Sequence, residues 1–181
     1  MHLEQAGQWL PSDFNYNEAT FEGRHYLPMP GKSVLATRVH IGALFSNGDP
    51  DTHIPFFKRY FLGGATNLRG WGRFEVGPTS GAGLPIGGFS VADFSTELRF
   101  PIKGNFSGVG FFDGGNVFSG KFDYQLNHLR YDIGPGLRYN TPIGPVRVDF
   151  GYQLTPLDNL IVNGQPESHH WRIHFSIGQA F

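Results

Sequence analysis

Apolar and polar residues alternate one by one through most of this chain, and this period of two restricts the possible folds more than any other feature. Residues 145–154 read PVRVDFGYQL, in which the apolar residues fall at every second position. Successive side chains of a strand point to opposite faces, so the pattern indicates β-strands and not helices. The same alternation occurs in residues 15–27, 33–45, 89–102, 106–118, 129–139 and 171–181, with a weaker candidate at 1–10 that is anchored by Leu3 and Trp9. The sequence therefore predicts eight strands and no helix.

The face opposite the apolar residues carries charges and glycines. Its charged residues are Asp93, Glu97, Arg99, Asp113, Arg130, Asp132, Arg138, Arg147, Asp149 and Arg172. A membrane barrel turns its apolar face to lipid and lines its lumen with the polar one. Short turns also alternate with longer loops, as in outer-membrane barrels. We therefore predict an all-β protein, an antiparallel transmembrane β-barrel; the alternative is a soluble lipocalin-like or sandwich domain whose apolar face forms a core.

Composition narrows the possible partners and chemistries. The 181 residues suffice for one domain over residues 1–181, and the formal net charge of -1 gives no electrostatic reason to expect a nucleic acid partner. The chain has no cysteine and no Gly-x-Ser-x-Gly or phosphate-binding loop motif. His170 and His174 share a face, but about 13 Å of strand separates them, too far for one metal ion. We therefore predict no enzyme activity, no cofactor and no metal site.

A long Gly- and Pro-rich loop, residues 47–88, separates the third and fourth predicted strands. A loop of this length is usually functional. Its central part, residues 59–71, reads RYFLGGATNLRGW. Gly63, Gly64 and Gly70 permit positive φ, which suits a chain that folds back on itself in a confined space.

Arg69 is the charge at the tip of this loop. By the alternation, Glu97 and Asp113 both lie on the polar face of the following two strands. A guanidinium presents a planar fork that a carboxylate can bind through two hydrogen bonds, so these three residues form the main candidate constellation.

Five motifs occur in order along the chain: FLGG-x-x-x-LRGW, ELRFPI, FFDGGNVF, GPGLRYNTPIGPVRVDFGY and a terminal HFSIGQAF. Together they resemble the outer-membrane insertase superfamily of BamA- and TamA-like proteins, the bacterial surface antigen family, over nearly the whole chain. The resemblance implies the C-terminal half of a sixteen-stranded barrel. It also implies an outer membrane of a Gram-negative bacterium or the equivalent organelle membrane. The periplasmic domains that precede the barrel in this family are not expected in this chain.

The resemblance also assigns site residues. In the family the loop arginine docks on acidic residues of these same strands, which here are Glu97 and Asp113 opposite Arg69. Gly70 and Trp71 complete the tip, with Trp71 where the family usually has Phe or Tyr. We interpret the group as an architectural latch and not as a catalytic site. The C-terminal barrel signal would consist of Trp171, Phe175, Ile177, Gly178 and Phe181, with the aromatic and aliphatic members on one face.

The resemblance implies a barrel that assists the insertion of other outer-membrane proteins, or their translocation. The expected partners are the lipid bilayer and unfolded outer-membrane proteins. The alternative is a passive structural barrel or pore. A closed barrel of eight strands is only wide enough for its own side chains and could not hold residues 47–88. We therefore expect the strands to form half of a larger barrel, completed by a missing half or by a second copy of this chain, and not a small eight-stranded barrel.

Overall fold

The structure is a computed structural model that describes residues 1–7, 12–142, 144–157, 160–162 and 164–181. Trp9, expected to anchor the first strand, lies outside the described residues. Ten strands occur: β1 His2–Ala6, β2 Tyr16–Met29, β3 Ser33–Phe45, β4 Ser90–Lys103, β5 Phe106–Phe118, β6 Arg130–Thr141, β7 Gly144–Gln153, β8 Ile161–Val162, β9 Gln165–Pro166 and β10 Trp171–Ile177.

Eight of these strands form one antiparallel sheet in the order β1-β2-β3-β4-β5-β6-β7-β10. This confirms the predicted number of strands and their sequence order. The strands β8 and β9 form a separate small hairpin within residues 155–169, where the sequence pattern predicts a loop. The sheet begins at β1 and ends at β10, and within the described part of the chain no strand pairs with the outer edge of either.

The sequence predicted no helix, but the described residues include one short α-helix. A single turn, α1 Pro50–His53, lies in the long loop, where the Asp49 side chain accepts a hydrogen bond from the Asp51 N–H at 3.0 Å. Asp at the N-cap followed by Pro at the first helical position favours a helix start, but four residues are too few to show a helical period. Short 3-10 turns occur at Pro30–Lys32, Phe56–Lys58 and Leu126–His128. Among the described residues, no helix is long and apolar enough to cross a membrane.

Burial in the sheet is inverted relative to a water-soluble β-domain. The inner face buries charged residues, namely Arg38, Asp93, Glu97, Asp113, Asp132, Arg138, Arg147 and Asp149. The outer face exposes large apolar side chains, including Phe21, Val39, Ile41, Leu98, Phe100, Ile133, Leu137, Val146, Phe150, Tyr152, Ile173, Phe175 and Ile177. A soluble lipocalin-like or sandwich domain would show the reverse, so the outer face is the one that contacts lipid.

The long loop covers the inner face of the sheet. Its residues Leu62, Leu68, Trp71 and Val76 pack against Val91 of β4 and Val117 of β5 in a buried apolar cluster. A second cluster joins Ile54 of the loop to residues of β2 and β3, namely Tyr16 and Leu44, together with Phe89. Because apolar loop residues provide these contacts, the loop is held on a face that is otherwise charged.

The inverted burial predicts effects of very different size for the same substitution at two places. Leu137 on β6 is 45% exposed on the outer face, and Leu126 in a 3-10 turn is 62% exposed outside the sheet. We expect Leu137→Arg to lower the free energy of unfolding in a bilayer by about 2–4 kcal/mol, because it places a charge in hydrocarbon. Leu126→Arg places the charge in water, so it should change the free energy of unfolding by less than about 0.5 kcal/mol. Urea titration of both variants in lipid vesicles measures this, and equal effects would contradict a lipid-facing β6.

Candidate functional site

The centre of the long loop, residues 62–76, folds into a compact unit that we call the loop tip. Leu62 and Val76 exchange backbone hydrogen bonds of 3.3 and 3.2 Å at its base. The Asn67 Oδ1 accepts from the backbone N–H of Gly63 at 2.9 Å and of Leu68 at 2.8 Å. Gly63 and Gly64 have φ of 102° and 110°, which an L side chain rarely adopts, so both positions favour glycine.

The Arg69 side chain extends from the loop tip to the inner face of the sheet and is fully buried there. Its Nε and Nη2 each donate to one oxygen of Asp113, both at 2.8 Å. Its Nη1 donates to Glu97 Oε1 at 2.5 Å, and Nη2 also reaches Ser95 Oγ at 3.1 Å. The Phe111 ring lies 3.6 Å from the guanidinium carbon. The structure thus brings together the three residues that the sequence nominated, with the bidentate geometry expected of a guanidinium and a carboxylate.

The carboxylates around Arg69 belong to a larger charged network. Glu97 Oε2 accepts a hydrogen bond from Arg99 Nε at 2.7 Å, and Arg138 Nη1 lies 2.6 Å from Asp149 Oδ1. Burial alone lowers the pKa of a guanidinium, but the hydrogen bonds to Asp113 and the neighbouring carboxylates raise the Arg69 pKa above its ordinary value. Arg69 therefore stays charged, and its charge compensates acidic residues that have no access to water.

Glycines on both sides let the loop tip approach the wall closely. A Cβ on Gly70 would lie 2.7 Å from Asp132 Cβ, and one on Gly151 would lie 2.3 Å from the Arg69 carbonyl oxygen. The Gln153 Nε2 donates to the Gly70 carbonyl at 2.8 Å. Gly70 does not use the freedom of glycine to adopt positive φ, and the position is restricted by space instead.

The loop tip also contacts the last strand, β10. The His174 Nε2 lies 3.0 Å from the Arg69 carbonyl oxygen, to which it can donate. Arg172 Nη2 lies 3.0 Å from Glu75 Oε1 and 2.8 Å from Glu167 Oε2, and so joins β10 to the loop tip and to the loop that precedes β10. The alternation had placed His174 and Arg172 on the polar face. It could not identify their loop partners, because the loop has no periodic pattern.

The proposed C-terminal signal does not lie on one face. Trp171, Phe175 and Ile177 are exposed on the outer face at 41%, 77% and 66%. Phe181 is buried, with its ring 5.1 Å from the Arg99 guanidinium. The prediction that Phe181 faces outward with the others is wrong, because β10 ends at Ile177 and Gly178 (φ 99°) turns the chain inward. Gly178 therefore lies beyond the strand, where its N–H donates to the Pro145 carbonyl at 2.8 Å.

One group of possible metal ligands occurs in the described part of the chain, and it differs from the histidines considered above. Ligand atoms of His2, Glu4 and Glu18 lie within 4.8 Å of one another. Glu4 already accepts from Lys58 Nζ at 2.6 Å and from the Tyr16 hydroxyl at 2.7 Å. Glu4 is therefore already held by an ammonium and a hydroxyl group of the protein itself.

An open antiparallel sheet with apolar side chains outside, charges inside and a loop docked on the charged face defines a transmembrane β-barrel protein of the outer-membrane class. The chain belongs to the Omp85 superfamily, whose domain description matches residues 1–181. This confirms the resemblance, the fold class and the outer-membrane location expected from the sequence motifs.

Relatives in bacteria and eukaryotes show similar sequences. Outer membrane protein assembly factor BamA of Nitratidesulfovibrio vulgaris is 28% identical over 182 residues, which cover 98% of this chain and 22% of that protein. BamA of Neisseria meningitidis serogroup B is 25% identical over 203 residues, covering 94% of this chain and 24% of that protein. A SAM50-like protein of Schizosaccharomyces pombe is 34% identical over 103 residues, covering 55% of this chain and 21% of that protein. The chain thus spans less than a quarter of the length of these relatives.

A solved structure shows the same fold. The crystal structure of BamA from Haemophilus ducreyi lacking POTRA domains 1-3 matches with a TM-score of 0.69 at 22% identity. The match covers 89% of this chain and 35% of that chain. The eight-stranded sheet therefore corresponds to part of a larger barrel.

The contact between Gly70 and the wall gives a direct test of the loop position. We expect Gly70→Ala to displace the loop tip, because its Cβ would collide with Asp132, and to expose residues 47–88 to protease. Gly81→Ala is the matched control in the same loop, since a Cβ there meets nothing within 4 Å. Limited proteolysis of the folded protein compares them, and equal cleavage rates would contradict the close packing of the tip.

The contacts of Glu167 predict a dependence on pH. The pKa of this loop carboxyl is lowered to about 2, first by the backbone N–H of His169 and then by the His169 side chain and Arg172. A lowered folded pKa stabilises the loop above the unfolded pKa of about 4.3, and this contribution disappears as pH falls towards 2. Pepsin cleavage within residues 155–169 should therefore rise between pH 4.5 and 2 more steeply in the parent than in Glu167→Gln. Identical pH profiles would contradict the charged contact.

Proposed function

We propose that this chain forms part of a barrel that assists the assembly of other outer-membrane proteins, with its last strand as the working edge. The two BamA relatives described above are named as assembly factors, and this chain belongs to the same superfamily, which supports the proposal. The observation that carries the proposal is the edge strand β10, whose inner side is held by the loop tip.

Strand edges have a high free energy in a membrane. Each unpaired backbone N–H or C=O group in hydrocarbon costs several kcal/mol, so an edge in the bilayer attracts another strand. β10 pairs with β7 on one side, from Trp171 opposite Tyr152 to Ile177 opposite Val146. Its other edge can accept an unfolded strand by β-augmentation, through main-chain hydrogen bonds that require no particular sequence. Such an edge suits a protein that handles many different substrates.

The edge of β10 is short. The strand has seven residues, and the chain leaves it at Gly178, whereas β4 has fourteen. A short edge forms few hydrogen bonds with a partner strand, so the pairing can be exchanged. We propose that this exchange allows an incoming strand to pair with β10 and later to be released.

The loop tip acts as a latch in this proposal. Arg69 ties the tip to β4 and β5, while the contacts of Arg172 and His174 tie the same tip to β10. The latch would fix the edge strand relative to the centre of the sheet. An incoming strand would then meet an edge of fixed position, which lowers the entropic cost of pairing.

The edges of β1 and β10 require further strands to complete a barrel. Seven successive antiparallel pairings give β1 and β10 opposite directions. A two-fold axis along the barrel would therefore place β1 of one copy antiparallel to β10 of the other, and a second copy is one source of the missing strands. A longer chain is the other source. The mass of the detergent-solubilised protein, after subtraction of the detergent, distinguishes them.

A passive structural barrel or pore is the competing function. It would keep the latch and the charged lumen but would not accelerate the folding of other barrels. The decisive experiment reconstitutes the protein in liposomes and times the assembly of an unfolded model barrel protein. Assembly faster than in empty liposomes supports the proposal, and equal rates leave the passive barrel.

Removing the latch should slow assembly without unfolding the sheet. Arg69→Ala leaves Glu97 and Asp113 buried without their partner, which we expect to destabilise the docked loop by about 1–3 kcal/mol. The backbone ladder does not involve Arg69, so the strands should remain formed. Arg73→Ala is the matched control, because Arg73 is exposed in the same loop and lies 4.6 Å from the Phe74 ring.

Both variants are compared in the liposome assay and by proteolysis of residues 47–88. We expect faster loop cleavage and slower assembly for Arg69→Ala alone. Fast cleavage with unchanged assembly would show that the latch is not needed for the activity. Slow cleavage would show that Arg69 does not hold the loop.

A further inference from the structure

A notch in the outer face of the sheet is left unfilled by the protein. It has a volume of about 650 Å³ and lies where β5 and β6 pass each other. Leu98, Phe112, Ile133, Pro135 and Phe150 are among the residues around it, and Gly110 lies among them without a side chain. This size falls within the range of about 300–1,000 Å³ that is usual for small-molecule sites.

The notch exists because Gly110 differs from its neighbours on β5. Gly108 and Gly114 point to the same face, but aromatic rings cover them: a Cβ on Gly108 would lie 2.5 Å from the Phe100 ring, and one on Gly114 would lie 2.6 Å from the Phe94 ring. A Cβ on Gly110 would meet nothing within 4 Å. The sheet therefore closes two of its glycine gaps with its own aromatic side chains and leaves the third open.

The backbone of β6 is also irregular at this point. Gly110 pairs with Pro135, whose ring nitrogen cannot donate a hydrogen bond. In the pairing of β6 with β7, Ile133 is opposite Tyr152 and Gly136 is opposite Asp149. Between these two pairs the register stays the same, but Gly134 and Pro135 do not form ladder pairs with β7. At Gly110 an occupant of the notch would therefore contact the main chain directly, while the large side chains stand around it.

Position and chemistry indicate what fills the notch. It lies on the lipid-facing surface and is continuous with it, since Leu98, Ile133 and Phe150 are 43%, 47% and 39% exposed there. Gly110 is the fifth residue of a strand of thirteen, which places it within the hydrocarbon and away from the headgroups. No charged residue lines the notch among the described residues, so it offers no contact for a phosphate.

We propose that the notch at Gly110 binds one acyl chain of a membrane phospholipid, which stays with the protein as a retained lipid. An empty apolar notch would lose dispersion contacts along its walls, and a flexible methylene chain restores them. The inference depends on the membrane-embedded sheet and goes beyond the proposed assembly activity, so either can fail alone.

The site lies directly behind the latch. Phe111 lines the notch, and the same ring lies 3.6 Å from the Arg69 guanidinium on the inner side of the sheet. A Cβ on Gly134 would be 2.7 Å from this ring, so Phe111 occupies the space over Gly134. The Phe111 ring thus lies on the inner face, between the strand backbone behind the notch and the buried ion pairs of Arg69.

Filling the notch with a side chain tests the proposal. The protein is reconstituted in vesicles of phosphatidylethanolamine and phosphatidylglycerol, extracted in mild detergent and examined by native mass spectrometry. We expect the parent to retain one phospholipid, and Gly110→Leu to weaken its retention about tenfold, as small steric changes do in apolar pockets. Gly23→Leu is the matched control on the outer face of β2, away from the notch, and should retain the lipid.

Gly110→Ala provides a second variant, because its Cβ meets nothing within 4 Å and the sheet can form around it. It should weaken retention in the same direction but less. Folding of each variant is checked by its migration in gels before and after heating. Equal retention in the parent and both Gly110 variants, or loss in Gly23→Leu as well, would overturn the proposal. A protein dimer that Gly110→Leu converts to monomer would also overturn it, because a second copy would then occupy the notch.

Discussion

Charge compensation at Arg69 is the interaction on which the arrangement of this molecule depends. The guanidinium is fully buried with Asp113 and Glu97, and each of these groups alone would be costly in a medium without water. The carboxylates come from neighbouring strands and the arginine comes from the loop. The loop therefore cannot leave the inner face without removing the arginine partner of Asp113 and one of the two arginines that contact Glu97. Sheet and loop specify each other through this one contact.

The inverted burial makes polar contacts important for the whole sheet, and not only for the loop. In water, apolar side chains supply the driving force for packing, but here the large apolar residues point outward, and lipid satisfies them without packing. Hydrogen bonds between strands and ion pairs inside are left to hold the structure. The two apolar clusters between the loop and the sheet are the exceptions, and the one around Trp71 forms a small core between the loop tip and β4 and β5. Polar contacts position the tip, and this cluster excludes water from them.

The sequence predicted the strands well, because each strand carries its own signal in the alternation of faces. It also nominated Arg69, Glu97 and Asp113, since an arginine in the glycine-rich centre of the loop and acids on the polar face have limited choices of partner. The contacts that the sequence did not predict share one property. They include the approach of Gly151 to the Arg69 carbonyl and the ion pair of Arg172 with Glu75. Both join segments whose relative height is set by strand register and stagger. Local pattern does not contain that information. The alternation in β10 likewise predicted the wrong face for Phe181. A glycine with positive φ ends the alternation, but the residue types after it do not change.

The contacts of the loop tip are distributed unevenly over the sheet, and this distribution connects the latch to the edge. At β4 and β5 the tip is held by buried ion pairs, whereas at β10 it is held by Arg172, whose side chain is 18% exposed, and by a hydrogen bond from His174 to a carbonyl. Partly exposed ion pairs contribute less than buried charge contacts that cannot be rehydrated. The contact with the edge strand is therefore the weaker of the two, and the loop is held mainly by the centre of the sheet.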